Sequence, residues 1–478
     1  MHDQILDMHF WDNVRPLKSM LGSMTLVFDV ILNAPDLEKS LKKLIEMDGW
    51  NRLGAGLRAK PMNSFFISVP RHFERERPSV MFTEEHYSMP MKDHPVASQF
   101  PKAGSHPSIH PGPETFRSLA VHNESPKSVT GFLWKKNPFI HLHVVTFDDG
   151  TLVSLLWPHV MCDCIGWAII LRSWAAIVAG RGHNVPKFNG YYRDAMERLG
   201  KTPQPKKSVL ETRLTTLAGV KAKGGCIMRS LSFVPHKMES RIFCLPAEFL
   251  QKTYGAAVSA VPHDFHLSED DVITAWATQI LCKRMPTSSR AVAICKFFDS
   301  RPLLHEAFSK HGVYVQNASF PYVTRMTAAS ICSNPISNVA KEVRLAFNEQ
   351  ARRDQLLSLA ELMRKDHIAN KIPLLARLDA HPVIFINWNK ANIWSTVDFT
   401  AATLPSGEAE DNGDTISPEV RARPVYFHSD LVGEHDLSQH EVFAMYGKDP
   451  KGNFWMSASL RRESMRCFER EFHKISSK

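Results

Sequence analysis

The residues best suited to chemistry are His159, Asp163 and Gly166, which form the pattern H-x-x-x-D-x-x-G. A neutral imidazole, with an ordinary pKa of about 6.5, can take a proton from a hydroxyl group at cellular pH. His159 is therefore a candidate general base. A lone His on a buried strand and an Asp at the start of a helix are also common structural residues, so the assignment depends on what surrounds them.

A hairpin and a helix must position these residues. The apolar segments 139–147 and 151–157 are joined by Asp148-Asp149-Gly150, a strong turn signal, and they predict two antiparallel strands. Residues 164–178 are apolar almost all round, which predicts a buried helix. His159 thus lies where a core strand turns into a helix, and a side chain there is held rigidly yet can face a cleft.

Further segments spread along the chain accompany this motif. Together they resemble the BAHD acyltransferases and their fungal relatives, whose signature is H-x-x-x-D with a Gly close behind. The matching segments are 53–58, 269–276, 298–303, 315–318, 386–390 and 397–400. The resemblance therefore covers most of the chain in order and spacing, although the identity is not continuous.

The chain departs from the family pattern at several positions. Plant members have Gly directly after the Asp, whereas here Cys164 follows it and the Gly comes at 166, as in fungal enzymes of secondary metabolism. Gln316 replaces the Gly of a Gly-Asn pair, which puts in doubt any need for close backbone approach there. The second signature, D-F-G-W-G, keeps only Asp398 and Phe399, so the contribution of its Gly and Trp cannot be carried over.

The resemblance implies an α+β fold of two chloramphenicol acetyltransferase-like lobes with a central active-site channel. It implies an acyl-CoA-dependent acyltransferase that moves an acyl group, expected to be acetyl, to a hydroxyl or amine of a secondary metabolite such as a terpenoid, alkaloid or polyketide. Acyl-CoA would be a co-substrate, and no bound cofactor or metal is expected.

The resemblance also implies roles for single residues. His159 would be the general base, and Asp163 would pair with Arg301 of the other lobe in a structural staple that includes Gly166. The candidates for contact with substrate or with the oxyanion are Asn317, Asn387, Trp388 and Lys390, and Asp398 would belong to a structural motif.

Composition favours an ordinary globular enzyme. The chain has 478 residues, of which 44% are hydrophobic and 22% charged, enough for two large domains. No apolar stretch approaches the length of a membrane span, and the first residues lack the pattern of a secretory signal. The eight cysteines show no spacing typical of zinc or disulfide frameworks, so we expect a cytoplasmic protein, with Cys162 and Cys164 as packing residues.

The formal net charge of +9 does not indicate nucleic-acid binding, because the Lys and Arg residues are scattered. We interpret the excess as a mild attraction for a polyanionic small molecule such as coenzyme A. The expected partners are thus acyl-CoA and a small acceptor, and the protein is expected to be a monomer.

Strands mixed with helices, without strict alternation, favour an α+β arrangement. We expect an N-terminal lobe over 1–200, an exposed crossover over 201–235 and a C-terminal lobe over 236–478. Within them we expect helices from about 35 to 47, after Pro246 and from about 460, and a mobile polar loop over 406–423.

Two alternatives share the fold. A peptide-forming condensation domain has the same His-Asp motif but carries two adjacent histidines, and Pro158 precedes His159 here. A catalytically idle relative that binds a metabolite or a partner stays open because the segment at 398–400 is degenerate.

A third alternative is a metal enzyme. His141 and His143 alternate onto one face of a strand, a pattern found in zinc sites, and His159 could be a third ligand. The sequence offers no obvious carboxylate partner at matching spacing.

Overall fold

The computed structural model describes residues 3–14, 16–60, 64–134, 137–213, 237–308, 310–368, 380–404, 421–433, 435 and 437–477. Most of the predicted crossover, from 214 to 235, and of the predicted polar loop, from 405 to 420, lie outside the described residues.

Seventeen strands occur in the described part of the chain. In chain order they are β1 (Gln4–Asp7), β2 (Leu21–Phe28), β3 (Gly56–Lys60), β4 (Ser64–Val69), β5 (Met81–Tyr87), β6 (Ser108–Pro111), β7 (His141–Phe147), β8 (Gly150–Pro158), β9 (Phe188–Asn189), β10 (Met238–Leu245), β11 (Ala291–Asp299), β12 (Val313–Tyr314), β13 (Ser319–Thr327), β14 (His381–Asn387), β15 (Tyr426–Val432), β16 (Glu441–Lys448) and β17 (Phe454–Arg461).

The described α-helices number twelve. They are α1 (Ala34–Ile45), α2 (Arg117–Ala120), α3 (Val129–Trp134), α4 (Cys164–Val178), α5 (Val209–Arg213), α6 (Ala247–Ser259), α7 (Glu269–Cys282), α8 (Ala328–Ser333), α9 (Ile336–Gln350), α10 (Arg353–Ile368), α11 (Ile393–Thr396) and α12 (Arg462–Ser476).

The predicted hairpin is confirmed and forms part of a five-stranded sheet. Strands β7 and β8 pair antiparallel, and Phe147 faces Gly150 across the turn. The sheet has the order β15-β2-β8-β7-β5, so β8 is flanked on both sides and its side chains are buried along its whole length. Because β8 is buried, the position of its last residue, Pro158, is well defined, and His159 follows directly.

A second sheet of seven strands has the order β13-β11-β14-β16-β17-β10-β6. Strand β6 comes from the first half of the chain yet pairs with β10, and β15 comes from the second half yet pairs with β2. Each sheet thus takes one strand from the opposite half of the chain, and the two halves are interlocked by backbone hydrogen bonds.

Local sequence signals explain where the main helices begin. Helix α1 starts after Asn33, whose side chain caps it, and Pro35 lies in its first turn as predicted. The predicted helix over 164–178 is confirmed as α4, with Asp163 as its N-cap. The last helix begins at Arg462, slightly later than expected, because β17 continues to Arg461.

Two large hydrophobic cores lie under the two sheets. Four residues of the first half are buried in the second core: Trp11, Met20, Met196 and Leu210. The described part of the predicted crossover also touches the second half, since the amide of Val209 donates to Gln355 of α10 at 2.8 Å. Among the described helices, none has the length and apolar character that a membrane crossing requires.

Candidate active site

A cavity of about 740 Å³ lies between the two sheets. The end of β8 and the start of α4 contribute one wall, and the ends of β11 and β14 contribute the other. Apolar side chains dominate one part of the lining: Trp11, Val14, Leu17, Met20, Met196, Leu359, Leu362 and Met363. The cavity is therefore built from both halves of one chain.

His159 lies at the wall of this cavity, directly after β8. Its backbone N–H donates to the carbonyl of Met20 at 2.9 Å, and its own carbonyl accepts from Nδ2 of Asn317 at 3.0 Å. Its Nδ1 is buried and has no hydrogen-bond partner among the described residues. Burial lowers the pKa of His159, so the imidazole is neutral at neutral pH, the form that can accept a proton.

Asp163 is a buried carboxylate that is surrounded by donors. Both of its oxygens are used at distances of 2.9 to 3.2 Å by the amides of Gly166 and Ala318, the hydroxyl of Ser319 and the guanidinium of Arg301. Burial acts to raise the pKa of Asp163, but Arg301 and these hydrogen bonds outweigh it, and the net pKa is lowered. Asp163 is therefore ionised and fully engaged, which leaves it no role as a proton acceptor.

Arg301 lies just beyond β11 of the second sheet and donates hydrogen bonds to several backbone and side-chain acceptors. Besides Asp163 it donates to the carbonyl of Tyr314 at 2.9 Å, to the carbonyl of Gln316 at 2.6 Å and to Asp299 at 2.7 Å. Its side chain is only 11% exposed, so it is not a solvated charge at the end of a strand. The Arg301–Asp163 ion pair thus connects the second sheet to the loop that carries His159.

Gly166 in the first turn of α4 allows close contact between the two halves. A Cβ atom at this position would overlap the carbonyl oxygen of Val315 and crowd Cβ of Cys162. Only glycine lets α4 approach the segment 315–318 this closely. Gln316, which replaces the family's Gly, has no positive φ, and its side chain donates to the carbonyl of Gly190 at 3.0 Å. The close approach in this chain is therefore at Gly166.

Asn317 is buried and lines the cavity, but its donors are already used. Its Nδ2 donates to Oδ1 of Asp12 at 2.9 Å and to the carbonyl of His159 at 3.0 Å. Only the side-chain oxygen of Asn317 is left for a ligand. No sequence pattern selects Asp12, because a single Asp that follows two aromatic residues has no motif around it.

Asn387, Trp388 and Lys390 follow β14 and all line the cavity. Oδ1 of Asn387 accepts from the amide of Asn389 at 2.8 Å, and the Nδ2 of Asn387 has no partner among the described residues. Trp388 is buried at 7% exposure, whereas Lys390 is exposed at the margin of the cavity. Asn387 therefore brings a free N–H donor to the cavity wall.

Asp398 and Phe399 do not line the cavity. Oδ1 of Asp398 accepts from the amide of Thr400 at 3.1 Å and from its hydroxyl at 2.6 Å, and Phe399 packs against Trp174 with ring centroids 4.6 Å apart. This segment thus stabilises a turn and a core next to α4.

A charged cluster in the cavity wall was not singled out from the sequence. Lys296 of β11 is buried, and its Nζ donates to Asp270 at 2.5 Å and to Thr274 at 2.6 Å. Nearby, Arg344 pairs with Asp271 at the start of α7. The alternation of side chains along a strand predicts on which face of β11 Lys296 lies. It does not predict that α7 packs against that face.

His141 and His143 of the metal alternative lie outside the cavity, and the two cysteines beside Asp163 are not reactive. Nδ1 of His143 lies 2.9 Å from the hydroxyl of Thr83, and neither His141 nor His143 lines the cavity. In the described ranges, no group of three His, Cys, Asp or Glu side chains is arranged to hold a metal ion. Burial raises the pKa of both Cys162 and Cys164, which keeps these thiols protonated and unreactive.

No protein-family profile matches the chain, but comparison with known proteins finds relatives that are similar over nearly its whole length. The O-acetyltransferase PaAT-2 of Phomopsis amygdali is 29% identical over 476 residues, which cover 96% of this chain and 95% of the relative. The acetyltransferase adrJ of Penicillium roqueforti is 27% identical over 488 residues, covering 99% of this chain and 96% of the relative.

A solved structure agrees in fold. The structure of F. graminearum TRI101 in complex with coenzyme A and T-2 mycotoxin matches with a TM-score of 0.68 and 15% identity, covering 99% of both chains. The chain is thus similar over nearly its full length to fungal acetyltransferases, and it shares with TRI101 an α+β fold of two chloramphenicol acetyltransferase-like lobes.

Proposed function

We propose that this chain transfers an acyl group, acetyl in the first instance, from acyl-CoA to a hydroxyl group of a small apolar metabolite. The observation that carries the proposal is the neutral imidazole of His159 at the wall of a cavity of about 740 Å³, with the Asp163–Arg301 ion pair beneath it. The relatives' names and the complex of TRI101 with coenzyme A and a mycotoxin support the same reaction.

In this mechanism His159 takes the proton of the acceptor hydroxyl as its oxygen attacks the thioester carbonyl. Nδ1 is buried, so we assign the proton-accepting role to Nε2. The tetrahedral intermediate then collapses, the carbon–sulfur bond breaks, and the imidazolium returns the proton to the thiolate of CoA. General base catalysis of this kind contributes about 10² to 10⁴ in rate, and positioning of the two substrates supplies much of the rest.

The developing oxyanion needs a donor, and the free Nδ2 of Asn387 is the candidate we favour, with Trp388 beside it. A preorganised donor in a site without water is worth about 10² to 10³ in kcat. Asn317 is better suited to hold His159 than to bind the oxyanion, since its N–H groups are already engaged.

The acceptor is expected to be apolar over most of its surface, as terpenoids, alkaloids and polyketides are. The wall formed by Trp11, Leu17, Met20 and Met196 would cover such a molecule. Acyl-CoA is a co-substrate and not a bound cofactor, and the exposed Lys390 at the cavity margin could attract its phosphates.

The site is assembled from a single chain, so we propose that the enzyme acts as a monomer. The seven cysteines in the described ranges are free thiols, which agrees with a reducing compartment such as the cytoplasm. A peptide-forming condensation reaction has less support because Pro158 stands where such domains carry a second histidine. A catalytically idle relative has less support because the degenerate segment at 398–400 lies away from the cavity.

The test is to incubate the protein with acetyl-CoA and a panel of hydroxylated metabolites while free thiol is followed. We expect acceptor-dependent thiol release that His159→Ala lowers by about 10² to 10⁴. His143→Ala is the matched control, since it removes another buried His outside the cavity. Equal release by the wild type and His159→Ala would reject His159 as the base.

The pH dependence gives a second readout. Burial lowers the pKa of His159 from its ordinary value of 6.5, and a base works only above its pKa. The acid limb of kcat/KM should therefore lie below pH 6.5, and it should be absent from any residual activity of His159→Ala. An acid limb above that value would contradict the assignment.

A further inference from the structure

Asp12 is a buried carboxyl group that the proposed reaction does not use. It lies in the 3₁₀ turn Phe10–Asn13 near the start of the chain and is 1% exposed. Its Oδ1 accepts from the backbone amide of Asn317 and from the side-chain Nδ2 of Asn317, each at 2.9 Å. Two donors of one residue thus converge on one oxygen.

Asn317 passes this contact on to the base. The same Nδ2 that donates to Asp12 also donates to the carbonyl oxygen of His159 at 3.0 Å. On the other side, the N–H of His159 is held by Met20 at 2.9 Å. The peptide groups on both sides of the His159 Cα are therefore fixed, and Asn317 is the only side chain among the described residues that holds the carbonyl.

We infer that Asp12 is a positioning residue for acyl transfer: it orients Asn317, and Asn317 aims the imidazole of His159 by holding its carbonyl oxygen. The inference rests on the proposed function. The His159 loop then has two clamps, one through Asp163 and Arg301 and the other through Asn317 and Asp12. The first reaches it from just beyond β11, and the second from the segment between β12 and β13.

The second clamp also connects the base to the acceptor wall. Trp11, the neighbour of Asp12 in the same turn, lines the cavity and packs on Phe320 with ring centroids 4.9 Å apart. Movement of this turn would thus be felt by the substrate side of the cavity and by His159 together. A displacement of about 1 Å at a reacting group can cost about 10² in rate.

A packing role alone does not explain a carboxyl group at this position. Burying one without full pairing costs several kcal/mol, and an apolar side chain would fill the space without that cost. Oδ2 of Asp12 has no hydrogen-bond partner among the described residues, and its nearest charged or titratable neighbours include His9, Arg52 and Asp194. The hydrogen bonds that Asp12 does make are those that Oδ1 accepts from Asn317.

The acceptor oxygen can be kept while the carboxyl group is replaced. Asp12→Asn retains Oδ1 as an acceptor, whereas Asp12→Ala removes it. We expect Asp12→Ala to lower kcat by about 10- to 100-fold with KM for acetyl-CoA changed less than about threefold, and Asp12→Asn to stay within about threefold of the wild-type kcat. Glu441→Gln is the matched control, a carboxyl that is also 1% exposed but pairs with His381 and does not line the cavity.

A double-mutant cycle separates positioning from general damage. If Asp12 acts through Asn317, then Asp12→Ala should lower the kcat of an Asn317→Ala enzyme by less than about twofold, while Glu441→Gln should have the same effect in both backgrounds. Additive losses from Asp12→Ala and Asn317→Ala would overturn the inference, and so would a wild-type kcat for Asp12→Ala.

Exchanging the two residue types between positions 12 and 317 tests the same point without leaving an empty space in the core. The double variant Asp12→Asn with Asn317→Asp keeps a hydrogen bond between positions 12 and 317 but removes the donor to the carbonyl of His159. We expect it to fold and still show a kcat at least about tenfold below the wild type. A wild-type kcat for this variant would overturn the inference, while a fully active His159→Ala enzyme would instead reject the proposed function.

Discussion

Two regions of the chain that match family motifs differ in how much of the motif they keep. The segment 159–166 keeps its His, Asp and Gly, whereas the segment 397–400 keeps only Asp398 and Phe399 of the family's second signature. The first region lies at the cavity, and the second lies outside it. The motif residues are kept in the region where several elements of both halves meet. They are substituted in the region that forms a capped turn.

The ion pairs of the two regions show the same contrast. Asp163 and Arg301 are 5% and 11% exposed, and every oxygen of the carboxylate is hydrogen-bonded. Asp398 and Arg423 are 37% and 41% exposed, with 3.6 Å between the charged groups. A charge that is buried depends on its partner, whereas water can replace the partner of an exposed one. The first pair should therefore be far more sensitive to substitution.

The largest expected effect is the loss of the buried guanidinium. Arg301→Met should lower the free energy of unfolding by about 3–5 kcal/mol, because it leaves Asp163 buried without its cation. Arg423→Met should lower it by at most about 1 kcal/mol. Urea unfolding of the two variants and the wild type measures both values, and equal losses would remove the distinction between the two regions.

A smaller effect is expected from crowding the contact between α4 and Val315. Gly166→Ala should cost about 1–3 kcal/mol and also reduce kcat, since the added methyl group pushes α4 and the His159 loop away from the second half. Gly255→Ala in α6 is the matched control, because nothing lies within 4 Å of its added Cβ.

That control should be neutral or stabilising by about 0.5–1 kcal/mol, as alanine favours a helix more than glycine does. Thermal unfolding and kcat of the two variants decide the point. A Gly166→Ala protein as stable and active as the wild type would mean that the close approach to Val315 is not required.

The local elements of the site could be predicted from the sequence because their signals are local. The turn at 148–150, the apolar helix over 164–178 and the capping Asp at its start depend on neighbouring residues only. Of the segments that carry the family resemblance, 269–276, 298–303, 315–318 and 386–390 contribute residues to the cavity around His159, whereas 53–58 and 397–400 do not. The fold class follows from the same patterns together with the family resemblance.

The long-range contacts could not be predicted in this way. Nothing in the segment 108–111 indicates that it pairs with β10, and nothing in 426–432 indicates a pairing with β2, because strand partners depend on burial across the whole sheet. Asp12 and Asn317 are 305 positions apart, so their hydrogen bonds left no pattern in the sequence. The contact between Lys296 and Asp270 likewise depends on the packing of α7 against β11, which no local sequence pattern indicates.

The smallest expected effect is at the degenerate motif itself. Thr400→Gly restores the family's residue but removes a hydroxyl that donates to Asp398 at 2.6 Å and accepts from the amide of Ala422 at 3.0 Å. It should therefore lower the free energy of unfolding by about 1 kcal/mol and leave kcat unchanged, since Thr400 does not line the cavity. Thr403→Gly, which removes a hydroxyl bonded to the carbonyl of Thr400, is a comparable local control. Steady-state kinetics beside urea unfolding measures both quantities. A change in kcat larger than the loss of folded protein would show that the turn at 398–400 still acts on the site, and that the two regions are coupled.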